Sequence, residues 1–415
     1  MHWLPALCTG VPDRGVEYAD QGRGMKTAYD VIVIGGGPAG ALAARTTAQA
    51  GLATLLLEKR QEIGSPVRCG EAVGRDTVAR FLPLDARWIA AEIDTFSLSN
   101  AQGDCVVLPP LEETLVLERK IFDRELVHAA RQAGADVMVK ARATGLLHDG
   151  QGVAGVSVIV QGEPHDIPAR IVIGADGTEA QSTRWAGLTG NPPLRDYFSA
   201  VQYLLSGVDI PPRICQYHLG QSLAPGGYVW VFPKGPGKAN VGLVLAADAH
   251  VPTSAIGLLD AFVAARFPQA SPLAQVVGGI HVTNTLARMV TDGYMAVGDA
   301  AHQADPLTGG GITNGMHGGL FAGEVAVAAV RAGDVSAQFL HRYEERWDAE
   351  FGRLYRRLLR IRRAVRQLPS DATARMITQA TRLDTSRVGL RDLFTVILKS
   401  YPSLLIEVLP YFLGQ

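Results

Sequence analysis

The sequence predicts an α/β fold: a parallel sheet with flanking helices, an inserted antiparallel sheet, and a helical C-terminal region. Three observations predict it. A strand, a glycine turn, a helix and a second strand follow one another over residues 29–60. Two more short apolar strands, at 169–177 and 294–297, run into glycine and aspartate. Between them, residues 198–244 alternate between apolar and polar positions and are punctuated by turns, as antiparallel strands do.

The first unit reads YDVIVIGGGPAGALAARTTAQAGLATLLLEKR. Tyr29 to Ile34 is a short β-branched run, suited to a buried parallel strand. Gly35, Gly37 and Gly40 supply GxGxxG. The first glycine permits the tight turn, the second lets backbone approach a pyrophosphate, and the third lets the helix pack on the strand. Residues 41–50 form an alanine-rich helix whose unpaired N–H groups and dipole face the phosphates. Gly51 ends it, and Thr54 to Leu57 form the second strand. Glu58 follows eighteen positions after Gly40, where a ribose-binding carboxylate belongs. GxGxxG alone is weak evidence. With strand, helix, strand and acid in phase, it marks a Rossmann-like dinucleotide-binding unit rather than an empty glycine turn.

Length and composition bound the rest. The 415 residues suit two or three domains. Hydrophobic residues at 47% and charged residues at 19% describe a folded chain with a large core. A net charge of -1 provides no field to draw nucleic acid. Cys8, Cys69, Cys105 and Cys215 lack CxxC spacing, which points to a reducing, cytoplasmic setting without metal site or disulfide framework. No apolar run reaches the roughly 18–20 residues that span a bilayer. Residues 1–24 lack the basic and apolar regions of a secretory signal. Met25 opens the usual short lead into a first strand, so 1–24 read as a disordered extension.

In chain order, residues 61–74 carry Gly64, Pro66, Gly70 and Gly74 and form a loop over the nucleotide unit. A short helix is expected at 76–82, a hairpin from 93–98 and 105–108, and a strand at 115–118. Residues 118–134 form an amphipathic helix with Phe122, Leu126, Val127 and Ala130 on one face. A strand series begins at 135. Helices are expected at 255–267, at about 314–331, and from 336 to the end. Arg353, Arg356, Arg357, Arg360, Arg362, Arg363 and Arg366 make one helix strongly basic. The last stretch, 393–414, is apolar but interrupted by Lys399, Pro402, Glu407 and Pro410. The expected division is a cofactor domain of 25–92, 115–190 and 287–332, a substrate-binding sheet domain of 93–114 and 191–286, and a helical region of 333–415.

The nucleotide motifs thus occupy three separated pieces. This arrangement resembles the two-domain flavoproteins of the p-hydroxybenzoate hydroxylase class, which implies FAD rather than NAD at GxGxxG. Asp299 would accept hydrogen bonds from ribityl hydroxyls. Gly309, Gly310, Gly311 and Ile312 open a helix whose N–H groups could reach the flavin's pyrimidine edge or a phosphate.

Two stretches sharpen the resemblance: GSPVRCGEAVG after the second strand, and PGGYVWVFPKG with ANVG behind it. With GxGxxG ahead, the chain from 25 to about 330 is similar to the geranylgeranyl reductase family, particularly its archaeal branch that saturates digeranylgeranylglycerophospholipids. The resemblance implies Ala39, Glu58, Cys69, Gly70, Ala72, Arg119, Ala143, Asp299, Gly311 and Ile312 around FAD. Arg119 precedes the FDREL helix and could meet the pyrophosphate bidentately. Ala143 would touch adenine through its backbone. Cys69 belongs near the isoalloxazine, where neighbouring Arg68 could lower its pKa. Tyr228 and Trp230 alternate on a strand and share a face with Phe232, an aromatic wall for an apolar chain. Cys69, Tyr228 and Trp230 are the catalytic candidates, and His302 and His317 are taken as structural.

The implied reaction saturates isoprenoid alkenes by proton addition and hydride transfer from reduced flavin N5. The protein orients the alkene and excludes water, while aromatic faces stabilise transient positive charge. Tyr228, Cys69 or a water is the proton source. No separate nicotinamide motif is present, so NADPH, ferredoxin or a quinol-linked donor all stay open. An isoprenoid lipid substrate implies peripheral contact with the inner face of the cell membrane, through the basic helix and apolar tail. The alternative for that helix is a solvated element packed on the domain. Two other functions stay open: a flavin monooxygenase or halogenase, since GYVWVFPKG resembles WxWxIP with Tyr228 in place of the first tryptophan, and a non-catalytic flavin-binding, membrane-associated protein.

Overall fold

The computed structural model describes residues 26–110, 112–188 and 192–381. The extension expected at 1–24 and the apolar stretch at 393–414 lie outside these residues.

The β-branched strand Tyr29–Ile34 sits at the centre of the parallel sheet. It pairs with Thr54–Leu57 on one side and Glu163–Gly174 on the other. Asp136–Met138 extends one flank and Tyr294–Ala296 the other, both in parallel. The three apolar strands of the three sequence pieces therefore lie side by side, and their carboxyl ends converge. Glu163–Gly174 begins earlier than the expected 169. Its first half leaves the parallel sheet to pair antiparallel with Val153–Val160, which pairs in turn with Ala141–His148.

The helices Pro38–Gln49 and Ile312–Ala332 pack against each other along a stripe of glycines. A Cβ on Gly319 would lie 2.0 Å from the Ala39 carbonyl oxygen, and one on Gly323 would lie 2.8 Å from Thr46 Cβ. Without side chains there, the two backbones approach closely and both helices aim their N-termini at one place.

The inserted sheet has seven strands, in the order Ser271–His281, Tyr197–Ser206, Lys238–Ala246, Tyr228–Pro233, Ile214–Leu219, Thr95–Asn100 and Cys105–Leu108. All neighbours are antiparallel except Ile214–Leu219 with Thr95–Asn100. The expected 93–98 strand needs correction. The chain turns a corner at Asp94, whose carboxylate meets Arg213 Nε at 2.5 Å. Ile89–Ile93 instead joins Thr114–Leu117 and Ala72–Gly74 in a small third, antiparallel sheet with Thr114–Leu117 at its centre.

The C-terminal part contains Ala337–Trp347, a π-helical turn at Asp348–Gly352, then Arg353–Arg366 and Ala372–Ala380. The basic helix buries Tyr355, Leu359, Ile361 and Arg362, and several of its arginines are engaged. Arg362 is buried with its guanidinium 4.0 Å over the Phe198 ring. Arg363 pairs with Asp196, Arg366 with Asp248, and Arg356 with Asp348. Arg353 and Arg360 remain exposed. Among the described residues, no helix is long and apolar enough to cross a membrane.

Candidate functional site

Three turns meet at the carboxyl ends of Tyr29–Ile34, Glu163–Gly174 and Tyr294–Ala296, the usual ligand position in such sheets. Gly35 has φ +112°, and a Cβ there would lie 2.3 Å from Ala175 O. A Cβ on Gly37 would meet nothing within 4 Å, so this turn borders open space, whereas one on Gly40 would lie 2.0 Å from Gly35 O. Neither converging helix has an acidic residue in its first turn. Their positive ends therefore stay available to an anion. Glu58 is held at the rim by the N–H groups of Gly36 at 3.0 Å and Arg60 at 2.9 Å. The Ala141 N–H donates to Glu58 O at 2.9 Å, which brings the strand carrying Ala143 beside it.

Asp299 lies in the short helical turn Gly298–Ala301. Burial pushes its carboxyl up, partly offset by the Thr178 hydroxyl at 3.3 Å and by the Arg119 charge. Gly311 is close enough that a Cβ would sit 3.2 Å from Asp299 Oδ1. The Asp299 carbonyl accepts from the His302 N–H at 3.1 Å, and the Asp299 backbone favours the charged form of the His281 imidazole. His281 comes from the inserted sheet, stacks on His302 at 4.0 Å, and has a buried Nδ1 with no partner. Burial brings His281 down to about 4 and His302 to about 3, so both rings are neutral. The open cradle at Gly37, two acid-free helix ends and an orphaned polar atom beside Asp299 fit a dinucleotide such as FAD.

Arg119 departs from expectation. Its Nε and Nη2 grip Asp123 at 2.6 and 2.8 Å, so the fork expected on the pyrophosphate is engaged within its own helix. Its charge acts instead on Cys69 and Asp299. The expected effect of Arg68 on Cys69 also needs correction. Arg68 turns toward Glu179 at 3.8 Å. Burial pushes the Cys69 thiol up, and Arg119 offsets this only in part. Cys69 Sγ accepts the Glu71 N–H at 3.2 Å.

On the facing sheet, Tyr228, Trp230 and Phe232 share one side, with successive ring centroids 6.0 and 6.4 Å apart. Tyr217 fills the gap on the next strand, 5.8 Å from Tyr228 and 5.3 Å from Phe232. The Tyr228 hydroxyl donates to Thr308 O at 2.6 Å and is pushed up by burial. Asp305 shapes that loop by accepting the N–H groups of Leu307 and Thr308 at 2.7 and 2.9 Å. Trp230 is buried and donates its indole N–H to Gln202 at 3.1 Å, which makes it wall rather than proton source. Gly70 lies under this wall, where a Cβ would be 3.0 Å from the Phe232 ring. Ala72 packs against the same aromatic cluster.

Sequence reading missed Tyr217, Glu71, Lys234, Asn240 and His281. Tyr217 was signalled only by its alternation in ICQYHL, and its register opposite Trp230 is a tertiary fact. A cavity of about 610 Å³ beside Tyr29, Arg170 and Asp292 lies at the opposite end of the parallel sheet and takes no part in this site.

Residues 30–188 match the family described as FAD dependent oxidoreductase, and 196–280 match the geranylgeranyl reductase catalytic domain. The chain is 40% identical over 392 residues to digeranylgeranylglycerophospholipid reductase 1 of Methanococcoides burtonii, covering 94% of this chain and 96% of that one. It is 42% identical to the digeranylgeranylglycerophospholipid reductase of Methanothrix thermoacetophila, covering 91% and 98%. A geranylgeranyl bacteriochlorophyll reductase-like protein from Thermoplasma acidophilum superposes with TM-score 0.86 at 35% identity, covering 92% of this chain and 98% of its own. A flavin-dependent brominase superposes with TM-score 0.68 at 22% identity, covering 90% and 94%, which is a likeness of fold alone. Motifs, architecture and relatives agree: the chain belongs to the geranylgeranyl reductase family of FAD-dependent oxidoreductases.

Proposed function

We propose that this protein saturates carbon–carbon double bonds in geranylgeranyl chains of glycerophospholipids. FAD is held by residues 25–92, 115–190 and 287–332, through Gly35, Gly37, Ala39, Gly40, Glu58, Cys69, Gly70, Ala72, Ala143, Asp299, Gly310, Gly311 and Ile312, with Arg119 contributing charge. The prenyl chain lies on the sheet of 93–114 and 191–286. The observation that carries this reading is the contact of Gly70 with Trp230 and Phe232, which joins the cofactor loop to the aromatic wall.

When bound, reduced FAD supplies the hydride. The chain's own residues do the rest. Tyr217, Tyr228 and Phe232 hold the alkene, exclude water and stabilise positive charge on its branched carbon. Cys69 carries the proton. The Tyr228 proton is committed to the Thr308 carbonyl, whereas burial keeps the Cys69 thiol protonated and Arg119 is placed to steady the thiolate. Electrons arrive from NADPH, ferredoxin or a quinol-linked donor. Exposed Leu354, Arg353 and Arg360 on the basic helix suit peripheral contact with an anionic membrane on the cytoplasmic side.

The test is anaerobic incubation of dithionite-reduced protein with a digeranylgeranylglycerophospholipid. Products should gain hydrogen pairs, one per alkene. Cys69→Ala should lower turnover at least about a hundredfold with FAD still bound. Lipid recovered with no added hydrogen, or products gaining oxygen or halogen when the incubation is repeated in air with halide and a reductant, would refute the reading.

A further inference from the structure

Glu71 is buried, carries a charge, and adopts φ +74°, a left-handed conformation rare for a residue with a side chain. Every polar group it owns is engaged. Its N–H donates to Cys69 Sγ at 3.2 Å and its carbonyl accepts the Leu117 N–H at 2.9 Å. Oε1 accepts the Arg119 N–H at 3.0 Å, which fixes the start of the helix that carries the Arg119 charge. Oε2 meets Lys234 Nζ at 2.9 Å and accepts from Asn240 Nδ2. The side chains of Glu71 and Lys234 are only 3% and 5% exposed. Lys234 also donates to Leu117 O and pairs with Glu118 at 3.2 Å.

This network crosses between two parts of the molecule. Glu71 follows Cys69 and Gly70 on the cofactor side. Lys234 directly follows the strand Tyr228–Pro233, which carries most of the aromatic wall, and Asn240 lies near the start of the neighbouring strand Lys238–Ala246, opposite Phe232. A buried charge stays buried only when paired, and loss of one partner leaves the other stranded. The left-handed backbone at residue 71 points its N–H at the thiol, and four anchored groups hold it there. A displacement of about 1 Å between reacting groups is enough to slow chemistry roughly a hundredfold.

We infer that Glu71 is a positioning residue: its buried pair with Lys234 locks the aromatic sheet to the Cys69 loop and sets the thiol and Arg119 relative to the wall. The inference rests on the reductase reading of this site. In flavin-loaded protein with Cys8→Ser and Cys105→Ser, Glu71→Ala should lower kcat about tenfold or more with KM within about twofold. Iodoacetamide should alkylate Cys69 at a rate changed by at least about fivefold. Glu71→Gln keeps the acceptor for the Arg119 N–H but turns an amide NH2 toward Lys234 and Asn240 and removes the charge that pairs with Lys234, so both readouts should move in the same direction as in Glu71→Ala. Glu71→Ala/Lys234→Met removes both charges and should regain the melting temperature lost in Glu71→Ala without regaining kcat. If Glu71→Ala does not fold, the double variant provides the same readouts. Unchanged alkylation of Cys69, or a double variant that recovers kcat with its melting temperature, overturns the inference. Alkylation needs no lipid, so a parent inactive on prenyl lipids would refute the function proposed above and not this role.

Discussion

The two sides of the site are built by different means. The cofactor side is mostly backbone: Gly35, Gly37 and Gly40, two helix ends, and a carboxylate at each of Glu58 and Asp299. The wall opposite is mostly side chain: Tyr217, Tyr228, Trp230 and Phe232, contributed by neighbouring strands and fastened by Gln202 and Thr308. A phosphate-bearing ligand is recognised by N–H groups, which depend on turn geometry and tolerate many side chains. An apolar chain offers no such handles and needs a shaped surface of large rings. The first kind of site fails through steric intrusion, the second through loss of alignment.

Substitutions can break that contrast at graded cost. Gly319→Leu should have the largest effect, because its Cβ would enter the Ala39 backbone. It should cost about 3 kcal/mol or more of stability and release FAD, measured by melting and by flavin retention on gel filtration. If FAD binds normally, the close approach of the two helices does not organise the cofactor side.

The His281–His302 stack joins the two sides and should confer acid sensitivity. Both rings are held below the ordinary histidine value by burial, His302 also by its neighbour and His281 also by Arg184, against the Asp299 carbonyl that favours the charged form. Groups depressed in the folded state add stability that is complete above about pH 6.5 and is lost as pH falls toward about 4 and 3. Each histidine should contribute a slope of at most about 1.4 kcal/mol per pH unit in that window. His281→Asn/His302→Asn should flatten the dependence of melting temperature on pH between about 6.5 and 5. An unchanged slope would mean that other groups govern it.

Tyr228→Phe should have the smallest effect on stability, about 1 kcal/mol for the lost bond to Thr308 O. Turnover should nevertheless fall about tenfold with FAD still bound, since the ring stays and only its tether to the loop goes. Parent-like turnover would show that the wall is aligned without that tether.

Much of the cofactor side was legible because its signals are local. Glycine spacing, the apolar strand before it and Glu58 after it all lie within one short stretch. The glycine stripe at Gly315, Gly319 and Gly323 was equally legible in spacing, but its meaning needs the partner helix. Reading Tyr228, Trp230 and Phe232 as one face succeeded because alternation on a strand is local as well. Partner choice was not legible. Arg119 turned to Asp123, Arg68 to Glu179, and most of the basic helix to carboxylates and Phe198. A charge in a sequence names what it can bind, and only proximity in the folded chain selects among many equivalent partners.

By itself, the order of residues determined that a dinucleotide turn, two further strand-end pieces and an aromatic strand exist in this protein, since each is encoded by neighbours along the chain. The tertiary structure alone decided that Tyr217 completes the wall, that burial raises rather than lowers the Cys69 pKa, and that Glu71 meets Lys234. Those outcomes depend on burial and on contacts between residues distant in sequence, and no local pattern carries that information.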